Sequence, residues 1–378
     1  MLFRGQMKNE RYFVTTLLEW NLSVNKRQMP WKGEKDPYKI WISEIILQQT
    51  RVLQGMDYYN RFIDAFPDIT SLATAPEMEV YKLWEGLGYY SRCKNLLATA
   101  KYIHENCSGI FPDQYEDMLS LKGIGPYTAS AIASFAFNLP HAVVDGNVFR
   151  VLSRFFGCHI EINTTKGKQF YSELAGKLLD KNHPAQYNQA IMDFGAMVCK
   201  PAQPLCLECT LQKKCVAFLK NQVAFLPVNK KIIRQKNRFF NYLVLENDEN
   251  IYIRKRTEKD IWQNLYEFVL LETDSWLANE EIIVNEQILS ILNFTQYEVK
   301  SISAKQRQKL THQTIYGRFI HIQIQQPFVA AGYFGVNKKE IMHQPFPKFI
   351  TSYLTDKNVS LNSFSTEENL VLCGASTK

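Results

Sequence analysis

The chain changes its hydrophobic rhythm about two thirds of the way along. Up to about residue 225 apolar side chains recur at helical spacing. Beyond residue 239 they alternate with polar ones over short runs. Residues 38–52 (YKIWISEIILQQTRV) carry apolar residues on successive helical turns without glycine or proline, and so predict a helix. Residues 58–66, 77–86, 92–106 and 127–137 read the same way. Breaks fall at Phe66-Pro67, Gly86-Leu87-Gly88, Phe111-Pro112 and between Gly123 and Pro126. No run of alternating strands precedes residue 225, which predicts an all-α domain over residues 1–225. After it, residues 239–246, 251–256, 267–272, 314–325 and 330–334 are short, alternating and rich in β-branched or aromatic side chains. They predict strands, and residues 281–292 predict a helix. A second domain of α+β type is therefore expected over residues 239–370. Between the two, residues 226–238 open with Leu226-Pro227-Val228 and carry Lys or Arg at five of the ten positions 229–238. Such a tract is a solvated linker, or a segment lying along a phosphate backbone.

Composition narrows the classes. Of 378 residues, 46% are hydrophobic and 21% charged, which excludes wholesale disorder, collagen and a coiled-coil rod. A formal net charge of +7 permits a nucleic-acid partner without demanding one. No stretch has the apolar length of a membrane span, and the N-terminus has no secretory pattern, so no membrane partner is expected and the cytoplasm is the default compartment.

Four of the eight cysteines, Cys199, Cys206, Cys209 and Cys215, fall within seventeen positions at the spacing Cys-x6-Cys-x2-Cys-x5-Cys. Four thiolates in one loop can hold a [4Fe–4S] cluster or a zinc ion. Structural zinc favours two Cys-x2-Cys knuckles, and only one pair here has that spacing. Lys200, Lys213, Lys214 and Lys220 give the cluster basic surroundings. Cys93, Cys107, Cys158 and Cys373 read as structural thiols.

Residues 121–129, Leu-Lys-Gly-Ile-Gly-Pro-Tyr-Thr-Ala, have the form of a helix-hairpin-helix. Gly123 and Gly125 allow a turn with exposed N–H groups, and Pro126 suits the first turn of the next helix. Such amides attract phosphate without reading sequence, although an ordinary helix connection can also carry Gly-x-Gly. Twenty residues on, Asp145 stands in Val144-Asp145-Gly146-Asn147-Val148. The pair is a turn by itself, or, downstream of a phosphate anchor, a carboxylate placed for chemistry at a sugar carbon. Glu44 lies among Ile40, Trp41, Leu47 and Gln48 on its helix. It is a surface residue or a desolvated acid able to donate a proton near neutrality.

Taken in order, these segments resemble the adenine DNA glycosylases of the MutY family, in the endonuclease III-like helix-hairpin-helix superfamily. The matching blocks are Met29-Pro30-Trp31, residues 43–50 (SEIILQQT), residues 84–92 (WEGLGYYSR), the hairpin, residues 144–151 (VDGNVFRV), residues 192–196 (MDFGA) and the four cysteines. The resemblance implies a two-lobed helical catalytic domain with a [4Fe–4S] loop, followed by a NUDIX-like domain. It implies monofunctional excision of adenine opposite 8-oxoguanine or guanine in base excision repair. Relatives that nick DNA carry a lysine where Tyr127 stands, and a phenol forms no Schiff base. Glu44 would protonate the base, Asp145 would stabilise the sugar cation, and Tyr127 and Asn147 would position them. The adenine pocket maps to Arg27, Met29, Trp31, Leu47, Val52, Gln189 and Met192. Gln49, Thr50, Leu87, Tyr89, Gly123 and Gly125 would contact DNA.

In the second domain Ile253-Arg254-Lys255-Arg256 and residues 262–268 (WQNLYEF) resemble landmarks of the same family's recognition domain. The Gly-x5-Glu and Arg-Glu-x2-Glu-Glu array for nucleotide hydrolysis is absent from the sequence. The family's Phe-Ser-His lesion-reading loop corresponds to Leu310-Thr311-His312, which keeps the hydroxyl and the imidazole and replaces the aromatic ring. The implied partner is duplex DNA, met by a monomer in the bacterial nucleoid, with the linker as the place for a sliding-clamp contact.

Overall fold

The computed structural model describes residues 2–230, 235–283, 285–292 and 297–356. Part of the basic tract, residues 357–370 of the expected second domain, and Cys373 lie outside the described residues. Within them the chain divides into two units, Met1–Ala75 with Lys94–Lys231, and Pro76–Cys93 with Ile232–Lys378. The second unit thus takes in an excursion from the helical half, which the expected division at residues 226–238 does not include.

The helices are α1 (Leu2–Ser23), α2 (Pro37–Leu47), α3 (Val52–Ala65), α4 (Ile69–Thr74), α5 (Glu77–Trp84), α6 (Tyr90–Asn106), α7 (Tyr115–Ser120), α8 (Pro126–Phe137), α9 (Gly146–Phe156), α10 (Thr165–Leu178), α11 (Pro184–Met197) and a short α12 (Val216–Leu219). In the first unit α1, α9, α10 and α11 enclose one core around Phe13, Leu17, Leu152, Tyr171 and Phe194. Helix α2 packs on α3 and α8. It is apolar on nearly every side, with Trp41, Ile42, Ile45 and Ile46 buried, so it lies inside the lobe. Asp36 starts it by accepting the Tyr38 N–H at 2.9 Å, with Pro37 in the first turn.

The helix expected over residues 38–52 is two helices. Gln48 leaves helical geometry, Gln49 takes φ +57°, and α3 restarts at Val52. Neither glycine nor proline marks this break. Helices α1, α9, α10 and α11 were not singled out by their periodicity, and they enclose that core.

The second unit is built on an eight-stranded mixed sheet: β1 (Lys236–Glu246), β2 (Asn250–Lys255), β3 (Tyr266–Glu267), β4 (Val269–Thr273), β5 (Tyr297–Ile302), β6 (Gln306–Lys309), β7 (Gln313–Ile324) and β8 (Tyr333–Asn337). β1 and β7 run parallel over their length, Phe240 opposite Gly317 and Leu245 opposite Ile322. β6 returns antiparallel on β7, so residues 310–312 form a hairpin tip. β5 and β6 were not expected, and the last strand begins at Tyr333 rather than residue 330. The helix expected over 281–292 is given as α13 (Asn279–Ile283) and α14 (Glu286–Leu292), with α15 (Lys348–Leu354) near the end. Among the described residues no helix is long and apolar enough to cross a membrane.

Candidate active site

Glu44 sits in the middle of α2, 5% exposed. The Tyr127 hydroxyl, from the first turn of α8, donates to its Oε2 at 2.5 Å. Burial pushes the Glu44 carboxyl up to about 7. The Tyr127 hydrogen bond acts against that rise, and the nearby Asp145 charge adds to it. The acid is therefore half protonated near neutrality. Burial pushes the Tyr127 phenol well up, and Glu44 and Asp145 push it further, so it is a donor throughout the working range.

Asp145 caps α9. Its Oδ1 accepts the Val148 N–H at 2.8 Å, and its Oδ2 accepts Asn147 Nδ2 at 2.6 Å. The turn role and the role of a carboxylate placed for chemistry thus fall on one residue. Burial raises its carboxyl above the ordinary aspartate value. The donors from Val148 and Asn147 and the charge of Arg150 oppose the rise. Glu44 receives one hydroxyl, Asp145 two N–H donors and a cation's field, so Asp145 is the readier of the two to ionise.

Both acids line one cavity of 580 Å³, within the roughly 300–1,000 Å³ of small-molecule pockets. Arg27, Met29 and Trp31 reach it from the irregular segment between α1 and α2. Leu47, Thr50 and Val52 reach it from the break between α2 and α3, and Gln189 and Met192 from α11. Tyr127 and Asn147 also line it.

The other expected DNA residues lie outside this cavity. Gln49 is exposed at its left-handed position. Gly123 has φ +82°, and a Cβ there would stand 2.7 Å from Asn95 Cβ; Gly125 is exposed just before α8. In the second unit Leu87 is buried, whereas Tyr89 is 40% exposed with φ +50°. The Tyr89 hydroxyl lies 2.7 Å from Thr311 Oγ1, and His312 is exposed at the same hairpin tip.

Three residues of the site were not assigned roles from the sequence. Arg150 spans from α9 to the start of the cysteine loop: Nε donates to the Cys199 carbonyl at 2.7 Å, and Nη2 donates to Asn147 Oδ1 at 2.7 Å and the Gly195 carbonyl at 2.8 Å. Asp193 and Lys32 line the cavity as an ion pair at 3.0 Å. Asp193 stood in the quoted block Met192-Asp193-Phe194-Gly195, where an acid inside an apolar helix was the available signal. Gly195 in that block has a packing reason: a Cβ there would lie 2.6 Å from Asn147 Cβ.

Cys199, Cys206, Cys209 and Cys215 line a second, small cavity together with Arg154. Arg154 is buried, and its Nη1 lies 3.5 Å from Cys199 Sγ while donating to the Lys200 carbonyl at 2.7 Å. Burial pushes the Cys209 thiol up to about 12, with the neighbouring thiols adding to it. Thiols so placed ionise only when a cation lies among them. Four soft sulfur donors without a carboxylate or imidazole in the lining fit an iron–sulfur group. Among the described residues no three His, Cys, Asp or Glu side chains form a ready site for a single metal ion.

Residues 42–175 match the family described as HhH-GPD superfamily base excision DNA repair protein, and residues 241–356 match the NUDIX domain. The chain is 35% identical over 308 residues to an adenine DNA glycosylase of Buchnera aphidicola subsp. Baizongia pistaciae, covering 80% of this chain and 84% of that protein. It is 36% identical over 288 residues to the adenine DNA glycosylase of the Schizaphis graminum subspecies, covering 75% and 82%. Among solved structures a thermostable thymine-DNA glycosylase aligns at TM-score 0.53 and 29% identity, covering 57% of this chain and 99% of that one.

Proposed function

This chain belongs to the adenine DNA glycosylase family, and from that premise we propose that it flips out and excises adenine mispaired with 8-oxoguanine or guanine in duplex DNA. The observation that carries the reading is the pair of unlike carboxyls, Glu44 and Asp145, opening on one cavity. Glu44, still protonated near neutrality, gives its proton to N7 of the adenine. The N-glycosidic bond then breaks with its electron pair leaving on a neutral base. The sugar is left as an oxocarbenium-like cation at C1′, and the ionised Asp145 stabilises it from close by, as a carboxylate does in retaining glycosidases. Glu44, now a carboxylate, takes a proton from the water that attacks C1′, which restores both acids and leaves an abasic site. Tyr127 has no amine for a Schiff base, so the strand is left intact.

Extruding the base costs a few kcal/mol, less at a mismatch than in a Watson–Crick pair. Gln49 and Tyr89, exposed and each already at positive φ, are the residues assigned to the vacated stack. Leu87, the third residue assigned there, is itself buried. Gly123 and Gly125 present backbone amides to phosphate. The hairpin tip with Thr311 and His312 reads the 8-oxoguanine opposite the adenine. The four cysteines hold a [4Fe–4S] cluster, which when bound supplies a rigid, cationic-rimmed loop. Iron and acid-labile sulfide content of the purified protein checks that assignment, and zinc in their place would remove it.

The test is single-turnover release of adenine from a duplex with A opposite 8-oxoguanine, beside A opposite guanine and T opposite guanine. Release from the first two and none from the third is expected. Thymine release, or none from any duplex, would overturn the reading.

A further inference from the structure

We propose that Asp193 is the positioning residue of the base pocket, holding Arg27 and Lys32, and with them the irregular segment 25–36, in the shape that grips an extruded adenine. The inference rests on the reading of the cavity as an adenine site.

Segment 25–36 contains neither helix nor strand, yet it supplies Arg27, Met29 and Trp31 to the cavity. Its own backbone offers turn bonds such as Lys32 N–H to the Met29 carbonyl at 3.0 Å and Glu34 N–H to the Trp31 carbonyl at 3.2 Å. A loop held by so little backbone pairing needs a tie from elsewhere to keep one shape. Asp193 supplies it from the interior of α11. Its side chain is fully buried, and its two oxygens accept three donors, all from that segment. Oδ1 takes Arg27 Nη1 at 2.8 Å; Oδ2 takes Asn25 Nδ2 at 2.9 Å and Lys32 Nζ at 3.0 Å. Lys32 Nζ also donates to the Arg27 carbonyl at 2.8 Å, closing the segment on itself around the carboxylate.

The partners differ in exposure, and this decides what losing the carboxylate does. The Arg27 and Lys32 side chains are each 23% exposed. With an amide at position 193 both cations can swing to water, so no buried charge is stranded and the fold survives. What goes is the fixed direction of the Arg27 guanidinium, a rigid fork on a side chain that lines the cavity. A base bound there then meets a donor that must first be ordered.

The experiment uses the full chain as wild type, Asp193→Asn, Asp193→Glu, Arg27→Ala and the double variant Arg27→Ala/Asp193→Asn. Two non-reacting duplexes accompany the cleavage assay, both with 8-oxoguanine on the other strand. One carries 2′-fluoro-2′-deoxyadenosine, whose fluorine opposes the sugar cation; the other carries a tetrahydrofuran abasic analogue. Asp193→Asn should lower single-turnover excision about ten- to a hundredfold, the scale of lost charged hydrogen bonds. It should weaken binding of the fluorinated duplex and leave binding of the abasic duplex as in wild type. Asp193→Glu should restore part of the rate, and the double variant should lose less than the sum of the single losses. An Asp193→Asn protein that cleaves and binds like wild type overturns the inference, as does one that loses both duplexes equally, because then the carboxylate only holds the fold. Failure of the wild type to release adenine is visible without any variant, and overturns the proposed function together with this inference.

Discussion

Glu44 and Asp145 are both carboxyls in the wall of one cavity, and what separates them is the number of donors each faces. On the proposed mechanism Glu44 must hold its proton and Asp145 must lose it for excision to start. The rate should therefore fall on the acid side as Asp145 becomes protonated, from a value raised above the ordinary aspartate range. It should fall on the alkaline side as Glu44 ionises through about 7. Single-turnover excision against pH should be bell-shaped, and Glu44→Gln should lose the alkaline limb while dropping about 10²–10⁴-fold at its best pH. A rate that climbs steadily past pH 8 in the wild type would remove the general acid. The same shift has a stability consequence. The folded carboxyl binds its proton more tightly than the unfolded one at about 4.5, so its contribution is complete below that value and is lost as pH rises through about 7. Glu44→Gln escapes this loss and should be more stable than wild type at pH 8.5, by a margin on the order of 3 kcal/mol, and not at pH 4. Urea unfolding at the two pH values reads it. Asp145→Asn separates chemistry from capping, because asparagine caps a helix as well as aspartate does. It should abolish excision while duplex binding is kept, and the unfolding midpoint at neutral pH should not fall, since the raised carboxyl contributes nothing there that asparagine lacks. Full activity in that variant would end the carboxylate's role.

At the scale of elements, a single guanidinium ties the start of α9 to its neighbours. Arg150 donates to the carbonyls of Gly146, Cys199 and Gly195 and to the Asn147 side chain, and so joins α9, α11 and the first cysteine of the loop. A lysine cannot donate along those divergent directions. Arg150→Lys should therefore release Asn147 from its place beside Asp145 and lower single-turnover excision about tenfold or more, the scale of a lost charged hydrogen bond. An unchanged rate, measured on protein of full iron content, would show that the bridge has no bearing on chemistry. Such bridges also explain what could and could not be read in the sequence. The hairpin glycines and the four cysteines were legible because their geometry is local: Gly123 needs its positive φ within its own turn, and the cysteines share one loop. Arg150 was not, because Gly195 and Cys199 lie 45 and 49 residues downstream. Glu44 was ambiguous for the same reason, since the side of α2 that faces the cavity is set by its packing on α3 and α8. The break at Gln48 and Gln49 was invisible because a left-handed glutamine leaves no compositional mark.

On the scale of the whole molecule, the chain leaves the first unit after Ala75 and returns to it at Lys94, and the excursion between belongs to the second unit. The contacts there are polar and specific. Glu85 Oε1 accepts the Phe346 N–H at 3.0 Å and the Thr351 hydroxyl at 2.6 Å, while Lys82 pairs with its Oε2 at 2.5 Å. Asn264 Nδ2 donates to the Tyr81 hydroxyl at 2.7 Å, and Lys255 pairs with Glu77 at 2.9 Å. Tyr89 and Thr311 meet at the end of this seam. On the proposed function Tyr89 is the wedge and the hairpin tip the lesion reader, and both lie in the second unit, so loosening the seam should cost lesion preference before it costs chemistry. Glu85 carries the most bonds in the seam and is largely covered, which makes it the place to cut. With Glu85→Ala the Phe346 N–H loses its acceptor and the Thr351 hydroxyl is left with the Pro347 carbonyl at 3.3 Å, and excision opposite 8-oxoguanine should fall about tenfold, on the scale of a lost charge-assisted hydrogen bond. Excision opposite guanine, which has no 8-oxo group to read, should stay within about twofold of wild type, since the acids in the first unit are untouched by that loss. The ratio of the two single-turnover rates is the readout. Equal losses on both duplexes would mean that the excursion serves catalysis as a whole rather than the reading of the lesion, and no loss on either would mean that the seam is held well enough by Lys255 and Asn264 without Glu85.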